Sequence, residues 1–401
     1  MSIGSDARMD AEIHRVLGAI EQMLLEYAAW GERIQWGEVH FAFYSDLLDF
    51  CNFRMETTQD CLALIKAGRI SAALGLNRSL LENYLLFALM CRGTKYYRLA
   101  DHSSLSEREF KAKLKEEQEA LKAAQEDGTA TCLEVKKFPR AARHIMYVYE
   151  GLKDDSGESI LVPVYYFEFR NFRPEVMRFR RDDYFEYYEP EPDMKNILRQ
   201  HQAQAARVYR FYLSYDSLIQ GLELNGMLDK AASLRVDAHY TFLGQFLHPT
   251  HDAARNLRAN SNVYHGGTAV GARQPYSDEA ILLAALYLAH TVASFMREAT
   301  NLLDAATDKY FSDTATGALA TAADRTMKQF AYFWFIDNDP PPYNRYLHCI
   351  HHASNEEITA WGGYMGCPKE SVSFDSSIFS SLKDALQGWN NATCGPYNPP
   401  F

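Results

Sequence analysis

The chain has 401 residues, 47% of them hydrophobic and 13% aromatic, with a formal net charge of −11. That composition excludes a disordered chain and supplies apolar surface for a large core, organised as two to three domains or one elaborated domain. The acidic balance excludes phosphate attraction over the whole surface and leaves room only for a local basic patch.

The sequence holds no apolar run long enough for a membrane span, and Asp6, Arg8, Asp10 and Glu12 stand where a signal peptide would be apolar. A cytoplasmic protein that does not enter a membrane is expected. The cysteines number seven, are scattered, and never take the Cys-x-x-Cys spacing of zinc or redox sites, so free thiols in a reducing compartment are expected.

Apolar residues recur at helical spacing over 8–29 and roughly 38–67, as in Phe43, Leu47, Phe50 and Cys51. Gly68 separates these from a third helix, Arg69–Cys91, which Gly93 stops. Ser106 and Glu109 match the reciprocal capping box, opening a helix to Asp127 whose dense Lys/Glu pairs mark a solvated face. From His144 the period becomes two. Ile145, Tyr147 and Tyr149 alternate, a turn signal follows at 154–157, and Ile160–Phe169 is rich in β-branched and aromatic residues, which together predict a β-hairpin.

Arg170, Arg173, Arg178, Arg180 and Arg181 then crowd together with Phe172 and Phe179, the composition of a strip that binds RNA. Acids between Asp182 and Asp193 follow at once, and an internal zipper of opposite charges is the alternative. Helices resume over Met194–Asn225 and Asp229–Leu247; Pro249 lacks an N–H and restricts His248 to extended geometry, which ends the second at His248. After a loop over 256–275, Ser277 is the N-cap candidate of a long apolar helix, Asp278–Asp304. Further helices are predicted near Ala322–Ile336 and Tyr343–Trp361, with Phe330, Tyr332, Phe333, Trp334 and Phe335 packing the C-terminal region onto the bundle. The predicted fold class is mainly α, with a helical bundle from 8–127 and 193–305, a hairpin-containing insert at 129–192 and a helical C-terminal region at 306–401.

Two charges stand out in the third helix. Arg78 and Glu82 lie about 40° apart on a helical wheel, on the side that carries Leu74, Leu81, Leu85 and Leu89. The opposite side is apolar too, so the helix should be enclosed and the charges should bond to each other and to further polar groups, because an unanswered buried ion costs several kcal/mol. The best partner is the segment Asp237–His251. Tyr240, Thr241, Gly244 and His248 share one edge of its helix, with His239, Leu243 and Phe246 away from it, and Gly244 would admit a close helix. Glu82 or Arg78 is expected to reach Tyr240 or His248.

The run Arg-Ser-Leu-Leu-Glu at 78–82, followed by Tyr-x-x-Leu-Gly-x-x-x-His-Pro at 240–249, resembles an uncharacterised family of bacterial helical bundles. Such bundles look like distant relatives of HEPN domains, helical proteins that often act as RNases in phage defence and toxin systems. The resemblance spans about residues 30–305 without the insert. It implies a metal-independent ribonuclease, often a homodimer, with His248 as acid and base and Arg78, Glu82 and Tyr240 orienting it or binding phosphate. HEPN nucleases carry an Arg four to six residues before a His; here Arg8/His14, Arg33/His40, Arg258/His265 and Arg345 with His351 or His352 have about that separation, and none includes His248.

Other chemistries lack their devices. Nucleophile-elbow, P-loop and dinucleotide-binding glycine motifs are all missing. His248-x-x-His251 resembles a ligand cluster, and His348, His352 and Glu356 would line one face of a continuous helix, but neither comes with Glu-x-x-His or His-Glu-x-x-His. No metal or other cofactor is therefore expected. Two functions remain: an RNA-cleaving or RNA-binding effector, with His251, Arg170, Arg173 and Arg178 as binding residues, or a non-catalytic module that binds a partner protein and uses the ion pair for packing.

Overall fold

The computed structural model describes residues 7–38, 43–150, 177–179, 185–187, 214–248, 250, 253, 257 and 275–387. Arg170, Arg173, His251, Pro249, the second strand of the predicted hairpin and the helical stretch at 194–213 lie outside the described residues. The described chain is mainly α, with small sheets, as its periodicity predicts. Its helices are α1 (Ala7–Arg33), α2 (Phe43–Lys66), α3 (Ile70–Arg92), α4 (Glu107–Glu126), α5 (Tyr215–Leu224), α6 (Lys230–Gly244), α7 (Asp278–Asp304), α8 (Gly317–Gln329), α9 (Pro342–His352), α10 (Asn355–Ala360) and α11 (Ile378–Gln387). The strands are β1 (Gln35–Trp36), β2 (Lys95–Asp101), β3 (Glu134–Lys137), β4 (His144–Glu150), β5 (Met177–Phe179), β6 (Phe185–Tyr187) and β7 (Phe311–Asp313).

The chain divides into two compact units, 1–36 with 51–84 and 230–401, and 37–50 with 85–229. The second holds an antiparallel sheet of order β2-β4-β3. Alternation along β4 gives each face its own cover: Ile145 packs with Phe110 of α4 and Val135, whereas Met146 and Val148 pack with Tyr97, Leu99 and Phe138. The Tyr97 hydroxyl donates to the Ser217 carbonyl of α5 at 2.7 Å, and Asn225 accepts from the N–H groups of Thr94 and Lys95. β4 thus pairs with β2, a strand the sequence reading left unassigned. Ser106 caps α4 through both halves of the predicted capping box. In the short β5–β6 ladder, backbone register pairs Arg178 with Glu186.

The first unit is built on α7. Most of its residues are buried, among them Tyr287, Phe295 and Leu303, and α1 and α8 pack against it. Among the described residues α7 is the one helix long and apolar enough to cross a bilayer, and 89% of its most apolar window is covered by protein. A central core helix has that composition. Ser277 caps it, its hydroxyl accepting from the Ala280 N–H at 3.3 Å.

Three helix ends differ from the sequence expectation, each for a physical reason. α8 ends at Gln329 instead of continuing to Ile336, and the irregular chain that follows is held by side chains from other elements: His290 donates to the Phe330 carbonyl at 3.2 Å and Arg235 to the Ile336 carbonyl at 3.1 Å. The predicted helix 343–361 breaks at Ala353, which is extended, because Ser354 and Glu357 form a capping box that starts α10 afresh. α6 ends at Gly244 rather than His248: Gln245, Phe246 and Leu247 each bond three residues back, the tightened last turn common at helix ends.

Because α7 is the core of its unit, its cap should be felt globally. Ser277→Ala is expected to lower stability by about 1 kcal/mol and Ser277→Asp to restore it, read as urea midpoints at constant m-value; an unchanged midpoint for Ser277→Ala would show that the cap does not hold the helix start.

Candidate functional site

The site begins with two helices that touch through small residues. A Cβ added to Gly75 of α3 would lie 3.1 Å from Leu247 Cδ2, tighter than an ordinary contact, whereas one added to Gly244 would sit 3.7 Å from Arg78 Nε, at ordinary separation. The tighter approach is therefore at Gly75, where a methyl group would press on the Leu247 side chain, and Gly244, to which the sequence reading gave that role, tolerates a methyl group. The two segments run antiparallel across this contact, which brings Arg78 to Tyr240 although 162 positions separate them.

Arg78 Nη2 donates to the Tyr240 hydroxyl and pairs with Glu82 Oε1 at 3.4 Å, while its guanidinium carbon lies 4.4 Å from the Tyr240 ring centroid. Within α3 the order Arg then Glu at i and i+4 is the weaker one against the helix dipole, so the pair gains its significance from the tertiary partner. Burial, then the hydrogen bond and charge of Glu82, push the Tyr240 phenol up to about 12 against the opposing pull of Arg78. Tyr240 therefore keeps its proton at neutral pH: it accepts from Arg78, donates to Glu82, and is no base.

The cluster is less enclosed than the sequence implies. Side chains of Arg78 and Glu82 are 18% and 35% exposed. Ser79, Asn83 and Leu86 are likewise only partly covered, so α3 presents one open strip instead of being enclosed on every side. Arg78 Nε is buried and has no acceptor among the described residues.

His248 lies one turn beyond Gly244, its N–H bonded to the Gly244 carbonyl at 3.1 Å. Its ring is exposed, and among the described residues no hydrogen bond or ion pair joins it to Arg78, Glu82 or Tyr240. Thr241, expected on the Tyr240 edge, instead lines a cavity with Phe242 and Gln245. Two of the Arg/His spacings involve groups engaged elsewhere: Arg345 donates to the carbonyls of Pro340, Met365 and Cys367, and His14 Nδ1 lies 2.7 Å from the Asp10 carbonyl; His40, Arg258 and His265 lie outside the described residues. The break at Ala353 puts Glu356 on a different helix from His348 and His352, so those three do not share one helical face. Among the described residues no three His, Cys, Asp or Glu side chains gather as a metal site.

Sequence reasoning missed a second polar centre. His239 is fully buried, with Nε2 at 3.0 Å from the Trp334 carbonyl and Nδ1 at 2.9 Å from the Tyr287 hydroxyl. A carbonyl only accepts, so Nε2 carries the proton and Nδ1 accepts from Tyr287. Phe333, Phe335 and Phe374 surround the ring. Burial lowers His239 to about 3 and the equally buried His290 to about 4. No sequence motif marks either residue; the only signal was a histidine on the apolar side of each helix.

No protein family, curated protein or solved structure matches the chain.

Two predictions follow from the geometry. In a double-mutant cycle of Arg78→Met with Tyr240→Phe, which keeps the ring, the coupling in unfolding free energy should be about 1 kcal/mol; a coupling of zero would make the contact incidental. The buried histidines give a pH dependence whose sign is fixed. Their folded-state pKa values lie below the unfolded value near 6.5, so the unfolded chain takes up protons first. Stability is complete above about pH 6.5 and is lost as the pH falls toward about 3 to 4. Between pH 7 and pH 5 each ring should cost about 2 kcal/mol, and His239→Gln should remove roughly half of that loss. A variant with the wild-type pH slope would refute the assignment.

Proposed function

We propose that the chain is a cytoplasmic HEPN-like effector, of a phage-defence or toxin kind, that cleaves or binds RNA without a metal or other cofactor. The observation that supports this is the meeting of the two motif segments, Arg78 and Glu82 from one and Tyr240 from the other. In cleavage, the His248 imidazole takes the proton of a ribose 2′-hydroxyl, and the 2′-oxygen bonds to phosphorus. The 5′-oxygen then leaves with the proton that the imidazolium returns. Glu82 and Tyr240 hold the Arg78 guanidinium, and those of its five N–H donors that they do not engage serve the phosphate charge. Arg170, Arg173 and Arg178 are the proposed RNA contacts, and a homodimer is the proposed assembly.

One observation favours a second function, a non-catalytic interaction module. Arg78 is already answered by Glu82 and Tyr240, and the exposed His248 ring is joined to none of them.

An RNA-cleavage assay in chelator-containing buffer separates the two. Wild type should cleave, and His248→Ala should lose about a hundredfold or more of the rate with no change in its unfolding midpoint, because the ring is exposed. Equal background from both proteins would overturn the effector in favour of the interaction module.

A further inference from the structure

The face of α6 turned away from Arg78 borders two adjoining cavities. The larger, about 630 Å³, has Trp334, Phe374 and Phe242 in its walls together with Arg235, Thr241 and Lys369. The smaller, about 470 Å³, shares Phe242, Gln245 and Ser376 with it and adds Phe379, Ser380 and Lys383. Both volumes lie in the range of small-ligand sites.

The lining is polarised. In the larger cavity Asp237 and Glu370 offset Arg235 and Lys369, whereas among the described residues Lys383 is the one charged residue lining the smaller. The smaller cavity also carries the hydroxyls of Ser376, Ser377 and Ser380. Nearby Asp375 lines neither; it accepts from the Ser377 N–H at 2.8 Å and the Ser381 hydroxyl at 2.7 Å. A cation sits over an aromatic ring at each end, Arg235 at 5.3 Å from the Trp334 centroid and Lys383 at 5.2 Å from that of Phe379. Trp334 is 7% exposed and its indole N–H is buried, so its ring backs the groove from within the core.

Aromatic walls with carboxylates at one end suit a flat heterocycle that bears N–H donors, and an unopposed ammonium with hydroxyls at the other suits a phosphate. Stacking surface interleaved with cations is the composition that holds single nucleotides. We propose that this groove binds a nucleoside 5′-monophosphate, with the base laid against Phe374 and Phe242, Phe374 being backed by its edge contact with Trp334 at 5.3 Å, and the phosphate at Lys383 and Ser380. The ligand is either a free nucleotide or the 5′-phosphorylated end of an RNA. The inference does not depend on ribonuclease activity, since none of these residues belongs to the Arg78 cluster.

Calorimetric titration of the full chain tests it, with the four mononucleotides, ribose 5-phosphate, inorganic phosphate, a 5′-phosphorylated tetraribonucleotide and an acidic peptide as probes. A mononucleotide or the tetranucleotide should bind at least tenfold more tightly than ribose 5-phosphate or phosphate. Lys383→Ala should weaken that binding tenfold or more, and Phe374→Leu should weaken it without abolishing the difference between phosphorylated and unphosphorylated ligands. Equal affinity for mononucleotide and tetranucleotide supports the free nucleotide as ligand; binding of the tetranucleotide alone supports the RNA end. The proposal is overturned by no heat at millimolar ligand, by equal binding of ribose 5-phosphate, by tighter binding of the acidic peptide, or by wild-type affinity in a folded Lys383→Ala. His248→Ala should bind the nucleotide as wild type does, so loss of RNA cleavage and loss of this site are separate results.

Discussion

The first unit depends on how a nearly fully buried helix satisfies the polar side chains it carries. α7 presents Tyr287, His290 and Ser294 to an interior without solvent, and each unmade hydrogen bond there costs about 1 to 3 kcal/mol. Their partners come from the irregular run after α8 and from the helices beside it. His290 donates to the Phe330 carbonyl, Tyr287 reaches the Trp334 carbonyl through His239, and Ser294 donates to Asp337 at 2.8 Å. Tyr84 of α3 donates to the same Asp337 carboxylate at 2.6 Å. The exchange is mutual: the run 330–337 forgoes helical bonds because neighbouring side chains answer its carbonyls, and those side chains are tolerable in the core because the run is not helical.

This constraint also fixes α6, which serves three sets of neighbours with three edges. Val236, His239 and Leu243 face the core; Tyr240 and Gly244 face Arg78; Arg235, Thr241, Phe242 and Gln245 border the groove. His239, bonded on both ring nitrogens, fixes the rotation of the helix about its axis together with the buried Val236 and Leu243. That rotation in turn decides that Tyr240 meets Arg78 and that Phe242 borders the groove. Both candidate sites therefore depend on how this buried histidine is seated: it bonds the Trp334 carbonyl and packs on Phe374 at the back of the groove, and it is next in sequence to Tyr240.

Much of this was legible in the sequence, and the parts that were not share a cause. Capping boxes, the Ser277 cap and the long apolar run of α7 are local signals, and they placed helix starts well. The contact between Arg78 and Tyr240 was also legible, because two charges in an apolar helix demand a polar partner and Tyr240 lay on the right edge of a helix with a small residue. What escaped was whatever another part of the chain decides. Strand β2 exists because β4 offers it an edge, and α8 stops where distant side chains answer its successors' carbonyls. The openness of the Arg78 strip depends on which neighbours fail to cover it. The start of α10 is the exception: Ser354 and Glu357 spelled a capping box that the longer histidine-rich periodicity outweighed.

A net charge of −11 would seem to speak against an anionic ligand anywhere on this chain, but the range of electrostatics decides otherwise. At physiological salt the screening length is about 8 Å, so a bound phosphate responds to the charges lining its own cavity and hardly to the acidic remainder. The same range separates the two candidate sites in kind. Arg78 has a carboxylate at 3.4 Å and is close to neutralised as an anion receptor, so any role it has is directional, through N–H groups held in place. Lys383 has no carboxylate among the described residues that line its cavity, and in the proposed site it would act as a charge. The paired arginine suits positioning and the unopposed lysine suits capture, and that division of labour follows from local pairing alone, whatever the sum over the surface.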